Sequence, residues 1–358
     1  GWFVFLGYEF AEFIEPVLAG LARDPLLPLA RATRFPAAIV RDHEDRVTHL
    51  VCETGRAEEL LPEMFQDLKR CVPPEDSMAT PFPVQIAEED PVRFLDGVAR
   101  VLDYIRAGDV FQVNLSRAWE IALATAVSTA ALYRRLRAAN PGPFAGLMCL
   151  GEDLAILSSS PERLVCVRGR TVSTRPIAGT YPRSLDAAQD RVWSRELQAH
   201  PKERAEHVML LDLERNDLGR LCLPGSVRVS EFMSVESYRH VHHLVSEVSG
   251  KLRPEVTPAQ VLRAVFPGGT ITGCPKVRCM QIIAELEQAA RGAYTGSFGY
   301  INRDGSMDLN ILIRTMVRAG RSVRLRAGAG IVADSIPERE LNETRAKARG
   351  LLAALDPA

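Results

Sequence analysis

The sequence lacks most of what marks a chain for a membrane, a nucleic acid or an oxidising compartment. Its most apolar windows, such as residues 208–213, are cut by charges well before the roughly 20 residues that a bilayer span needs. The 44 basic and 45 acidic residues leave a formal charge of −1 and are interspersed, so no basic field gathers nucleic acid or anionic lipid. Seven cysteines, at 52, 71, 149, 166, 222, 274 and 279, include no C-x-x-C pair. An odd number without framework spacing points to reduced thiols, a cytoplasmic location and a role as small buried hydrophobes. None stands in a G-x-C-x-G elbow, so the chain offers no candidate glutaminase thiol. The opening GWFVFLGYEFAEFIEP has no initiator Met and no basic leader, and Glu9, Glu12 and Glu15 break its apolar run. Secretion is not indicated, and the expectation is a chain that begins inside a domain. Internal repeats and low-complexity tracts are absent as well.

What is present is ample core material, 46% hydrophobic residues over 358 positions. Residues 1–88 read as a partial N-terminal lead-in that ends in the Pro-rich, acidic connector VPPEDSMATPFPVQIAEEDP, and residues 89–358 as the main body. Phe94, Val98, Leu102 and Ile105 form a helical stripe. In DVFQVNLSR, Phe111, Val113 and Leu115 alternate with Gln112, Asn114 and Ser116, which predicts a strand with one buried and one polar face. GSMDLNILIRTMV alternates as a single strand carrying Arg314 on its polar side, and SVRLRAGAGIVADS reads as a strand ending in small residues. AILSSSPERLVCVRGRTVSTRP reads as strand, turn and hairpin, and STRPIAGTYPR as a constrained turn centred on Ala178. PKERAEHVMLLDLERND, TPAQVLRAVF, PKVRCMQIIAELEQ and IPERELNETRAKARGLLAAL fit helices. Hairpin-like runs of strands with helices between them, without regular βαβ alternation, predict an α+β fold with large antiparallel sheets.

Glu203 and Glu206 share one helix face, and Glu340, Glu343 and Lys347 another. Each face taken alone is a solvated surface. Two such faces opposed could hold Mg²⁺, a hard cation that prefers oxygen ligands, and spacing does not choose between these readings. The pair His242–His243 is either structural or functional. FPGGTITGCPK offers a turn able to aim N–H groups at an anion, or simply the lead-in to a helix. Arg314 on an apolar strand requires an acidic partner or an anionic ligand.

These stretches, together with SSSPERL, VHHLVSEVSGKL, GAGIVADS and ELNETRAKA, resemble the chorismate-utilising enzymes in family order from about residue 92 to 350. The likeness is greatest to the aminodeoxychorismate synthases, then to the anthranilate synthases, and more distant to the isochorismate and salicylate synthases. It implies two large antiparallel sheets packed as a sandwich with flanking helices. It also implies that Glu206 and Glu343 ligate Mg²⁺, with Glu203 and Glu340 beside them, and that Lys347 adds positive charge near the ring carboxylate of chorismate. Thr270, Tyr294 and Arg314 match the pocket for the enolpyruvyl carboxylate, and Gly328 and Gly330 the close backbone approach. Glu162 matches the acid that protonates the departing C4 hydroxyl, His243 its neighbour, and Thr180 a catalytic-loop position.

Two positions sharpen the expectation. Gln112 stands where water-adding relatives carry a lysine base; an amide cannot activate water, but ammonia needs no activation. Ala178 stands where many aminodeoxychorismate synthases carry a nucleophilic lysine and where anthranilate synthases carry alanine. Against that single residue, Asn114, Glu214, YTGSFGY and Asn310 favour the aminodeoxychorismate branch. The resemblance therefore implies formation of 4-amino-4-deoxychorismate for folate and p-aminobenzoate synthesis, with ammonia from a glutamine amidotransferase partner. The route passes through 2-amino-2-deoxyisochorismate, since Ala178 offers no nucleophile. Anthranilate synthesis is the alternative, and a non-catalytic regulator of a glutaminase is disfavoured by the complete set of Glu162, Glu206, His243, Arg314 and Glu343.

Overall fold

The computed structural model describes residues 1–72, 84–125, 127–184, 186–238 and 241–355. Most of the Pro-rich connector, residues 73–83, falls outside them. Period-two segments are carried into two large sheets in which every strand pair is antiparallel. The nine-stranded sheet runs Ile177–Pro182, Val241–Lys251, Thr171–Arg175, Arg163–Arg168, Met307–Asn310, Ser297–Ile301, Trp2–Leu6 and Ala30–Arg34, with Arg228–Ser237 also paired to Val241–Lys251. The seven-stranded sheet runs Gly273–Cys274, Gln112–Leu123, Ser322–Ile331, Thr315–Ala319, Leu154–Ser160 and Phe144–Cys149, with Val84–Glu88 on Gln112–Leu123. Ala37–Arg41 and Thr48–Cys52 form a separate hairpin.

The sheets pack face to face through Phe5 and Phe298 of one and Met148 and Ile156 of the other. Each such side chain contributes about 1.5–3 kcal/mol by leaving water. Helices Pro201–Gly219 and Pro258–Val265 bury Leu211, Leu218, Val261 and Val265 against the larger sheet. Pro91–Arg106, Lys276–Glu287 and Pro337–Leu355 cover the smaller one. Their starts are written locally. Asp90 accepts from Val92 N at 3.0 Å with Pro91 in the first turn, and Thr257 and Gln260 close a capping box.

Several expectations change. Trp2–Leu6 and Ala30–Arg34 lie inside the larger sheet, so the sandwich draws strands from both sides of the 88/89 boundary. The segment read as one strand over 305–317 is two, Met307–Asn310 and Thr315–Ala319, in different sheets. Arg314 stands at the break with φ +52°. The alternation runs straight through because both halves bury apolar residues. Gln112–Leu123 is not half polar, since Gln112 and Ser116 are buried, whereas Phe111 precedes the strand and is 67% exposed. STRPIAGTYPR is not a loop: it belongs to strands Thr171–Arg175 and Ile177–Pro182, with an irregularity at Gly179 (φ +71°). Of the cysteines, Cys166, Cys222 and Cys279 are buried as expected, but Cys71 and Cys149 are exposed and Cys52 and Cys274 half-buried; all are free thiols.

Candidate active site

The chain passes from one sheet to the other at two adjacent corners. Leu154–Ser160 leads through Pro161 and Glu162 into Arg163–Arg168, and Met307–Asn310 leads through residues 311–314 into Thr315–Ala319. The serine run joins the corners. Ser159 N donates to Arg314 O at 3.0 Å, Ser160 Oγ to Ile311 O at 2.5 Å, and Ile311 N to Glu162 O at 3.0 Å. Ser158 Oγ and Thr315 Oγ1 meet at 2.8 Å, and Glu162 N donates to Ser160 Oγ at 3.1 Å. These bonds hold a carboxyl and a guanidinium at the corners where the chain crosses between the sheets.

Glu162 is 3% exposed, and burial pushes its pKa up to about 7, with the Glu214 carboxylate adding to the rise. The nearby Thr270 hydroxyl opposes the rise, although no hydrogen bond of good geometry closes between them. Ile177 N approaches Glu162 Oε1 at 3.5 Å. Glu214, buried behind Gly269, is itself raised to about 7 by burial and by Asp217. Burial pulls the Arg314 pKa down, while Tyr294, Glu343 and Glu162 oppose that shift. His243 is lowered to about 4 by burial and then by Arg314, so it is neutral at pH 7. Its neighbour on the strand, His242, faces the other way. His242 Nε2 meets Asp190 Oδ1 at 3.0 Å and His242 Nδ1 meets Ser237 Oγ at 2.7 Å, a structural arrangement.

The acidic helix faces meet one strand. Gln112 Nε2 donates to Glu206 Oε1 at 2.9 Å, and a Cβ at Gly330 would lie 2.3 Å from that nitrogen. Two residues back, Lys347 Nζ donates to Gly328 O at 3.0 Å and pairs with Glu343 Oε1 at 2.6 Å. Residues two apart on a strand share a face and stand about 7 Å apart, so the two helices reach one short stretch of it. A Cβ at Gly328 would sit 2.7 Å from the Tyr294 hydroxyl and 2.8 Å from Asn114 Oδ1. Glu203 is held beside Gly179, whose Cβ would lie 2.8 Å from its Oε2, and Glu340 is buried on the Glu343 helix. Ala178, 6% exposed, pairs with Leu244. The Thr180 backbone pairs with His243, while its side chain lies outside the described set.

The expected residues are thus neighbours: Arg314 lies within electrostatic reach of Glu162, Tyr294, Glu343 and His243, and Glu206 meets the same strand. Among the described residues no three acidic, His or Cys side chains come within reach of a common metal ion. Gln112 Oε1 and Asn114 Oδ1 are nevertheless buried there without partners. Such a donor set fits hydrated Mg²⁺ held by one or two carboxylates and completed by substrate oxygens, and does not fit an all-protein cage.

A family model described as chorismate binding enzyme matches residues 1–353. The chain belongs to the chorismate-binding enzyme family. It is 44% identical over 362 residues to anthranilate synthase component 1 of Thermus thermophilus, covering 99% of this chain and 77% of that one. It is 40% identical over 367 residues to aminodeoxychorismate synthase component 1 of Bacillus subtilis, covering 98% and 76%. The structure of anthranilate synthase component I from Streptococcus pneumoniae superposes with a TM-score of 0.87 at 34% identity, covering 98% of this chain and 80% of that one. The protein is a chorismate-utilising enzyme with that family's fold, and no helix among its described residues is long and apolar enough to cross a membrane.

Sequence reasoning missed three features. The serine run joining the corners gives no periodic signal, and neither does the buried pair Glu287–Arg291, whose partners come from across the chain. Glu214 stood out in the sequence only as a branch marker, not as a second buried carboxyl that favours its proton.

Proposed function

We propose that this protein adds ammonia to chorismate and releases 4-amino-4-deoxychorismate, receiving the ammonia from a glutamine amidotransferase subunit. The observation that carries the reading is Glu162, a buried carboxyl that keeps its proton to about pH 7 beside a half-buried arginine. Hydroxide leaves poorly, and an acid of this pKa can hand it a proton near neutrality. Neutral His243 orients the departing group.

Arg314, Tyr294 and Thr270 bind the enolpyruvyl carboxylate. Lys347 balances charge on the ring carboxylate, and Gly328 and Gly330 allow the substrate close to the strand. Glu206 and Glu343, supported by Glu203 and Glu340, would hold Mg²⁺, which when bound would polarise the ring carboxylate as a Lewis acid. Gln112 keeps Glu206 in place and offers no base for water, which favours ammonia as the nucleophile.

Ammonia attacks C2, the C4–O bond breaks with the Glu162 proton, and water leaves to give 2-amino-2-deoxyisochorismate. A second ammonia attacks C4 and expels the C2 amine. Support for the 4-amino product comes from Asn114 at Gly328, from Glu214 behind Glu162, and from Asn310. The Asn310 amide bridges Phe144 O at 2.9 Å and Phe298 N at 3.1 Å. A second reading, anthranilate formation, is favoured by Ala178 and by the names of several relatives. Mass spectrometry of the product from chorismate, Mg²⁺ and ammonium decides between them. A product that retains the pyruvyl group, preceded by the 2-amino intermediate, is expected; fluorescent anthranilate with free pyruvate overturns the 4-amino assignment.

A further inference from the structure

Behind the proposed carboxylate pocket lies a buried ionic cluster that no step above uses. All five N–H groups of Arg291, 4% exposed, are engaged. Nε donates to Glu287 Oε2 at 3.0 Å and Nη2 to Glu287 Oε1 at 2.6 Å. Nη2 also donates to Asn114 O at 2.7 Å, and Nη1 donates to Ile271 O at 3.2 Å and Thr295 Oγ1 at 3.3 Å. Glu287 in turn accepts from Ser116 N at 2.8 Å and from Arg326 Nη2 at 3.1 Å. On the far side Glu9 accepts from Arg291 N at 2.6 Å and from Gly292 N at 3.2 Å.

The segments tied here are those that carry the pocket. Ile271 adjoins Thr270, Thr295 adjoins Tyr294, Asn114 faces Gly328, and Arg326 lies two residues before Gly328 on the same strand. The backbone around Tyr294 carries strain that its contacts must offset: Gln288 and Thr295, neither of them glycine, have φ of +46° and +62°. A single planar guanidinium spans all of these acceptors, and a lysine ammonium, a point charge with three donors, cannot.

We propose that Arg291, backed by Glu287, is a positioning residue that fixes Tyr294 and Thr270 at the spacing needed to grip a substrate carboxylate. It touches no substrate and acts through the segments it joins. The inference rests on the chorismate-amination reading, so the test has one arm that depends on turnover and one that does not.

In the first arm Arg291→Lys is expected to raise the KM for chorismate about tenfold or more, with kcat changed less than about threefold and the KM for ammonium unchanged. Arg291→Ala is expected to show a larger rise that millimolar methylguanidinium reverses and methylammonium does not. A cavity of about 380 Å³ lined by Tyr8, Glu9 and Arg291 gives that reagent its way in. In the second arm amide exchange at residues 292–296 accelerates in Arg291→Lys while the Tm stays within a few degrees of wild type. An unchanged chorismate KM, a loss confined to kcat in proportion to the unfolded fraction, or unchanged exchange at 292–296 each overturns the proposal. Failure of the wild-type protein to consume chorismate would sink the amination reading instead and leave the exchange result to decide the role of Arg291.

Discussion

At the scale of the residue, Glu162, the proposed acid, sits in an environment that prefers its neutral form. Between about pH 4.5 and 7 the unfolded chain has lost this proton while the folded one keeps it, so the Glu162 contribution to stability falls as pH rises through that window. Glu162→Gln keeps the shape and removes the charge. At pH 8 it is expected to be more stable than wild type by on the order of 3 kcal/mol, and at pH 4 equal to it, measured by denaturant unfolding at the two pH values. Its turnover with chorismate and ammonium falls at least about a hundredfold. A variant equally stable at pH 8, or still active, contradicts the assignment. His207 and His243, both lowered to about 4 by burial, contribute with the opposite sign. Below about pH 6.5 the unfolded chain takes up protons that the folded one refuses, so their stability is lost as pH falls from 6.5 toward 4.

At the scale of the element, helices were legible because their periodicity and caps are local. The spans predicted around 201–217, 257–266, 275–288 and 336–355 correspond to Pro201–Gly219, Pro258–Val265, Lys276–Glu287 and Pro337–Leu355. The Thr257–Gln260 capping box lies at the start of a helix that packs on the larger sheet, and its bonds are made at the exposed N-terminus of that helix. Thr257→Ala is expected to cost about 1 kcal/mol in denaturant unfolding and to leave both KM values and kcat at wild type. A changed chorismate KM would tie this helix to the site. The corners were illegible for the opposite reason. Nothing in ILIRT breaks the alternation, because both strands bury apolar side chains, and only pairing to two different neighbours splits them. Glu203 with Glu206 and Glu343 with Lys347 were readable as shared faces. That Gln112 and Gly328 link them to one strand was not.

At the scale of the whole molecule, long-range pairing decides what one sequence window cannot show. Glu9 and Arg291, 282 residues apart, lie against one another, and Trp2–Leu6 supplies the neighbour of Ser297–Ile301. Removing residues 1–34 therefore exposes that strand as an open edge and strips Phe5 from the contact between sheets. The truncated chain is expected to aggregate or to lose cooperative unfolding, as read by size-exclusion chromatography and calorimetry; a monodisperse, cooperatively melting 35–358 fragment would show that the sandwich does not need the lead-in. The general fold and its family were legible because motifs are dense from residue 92 onward. The contribution of the first 34 residues was not, since their partners lie near the other end of the chain.

The central claim is that two helices bring Glu206 and Glu343 to one strand face beside Glu162 and Arg314, so that a divalent cation and a dianionic substrate meet there. Anomalous scattering from crystals soaked with Mn²⁺ and chorismate tests it most directly. The account predicts one metal peak within direct or water-bridged reach of both Glu206 and Glu343, with the ring carboxylate of chorismate as a further ligand. A peak bound elsewhere, or bound by one of these carboxylates with chorismate remote from it, would contradict the account.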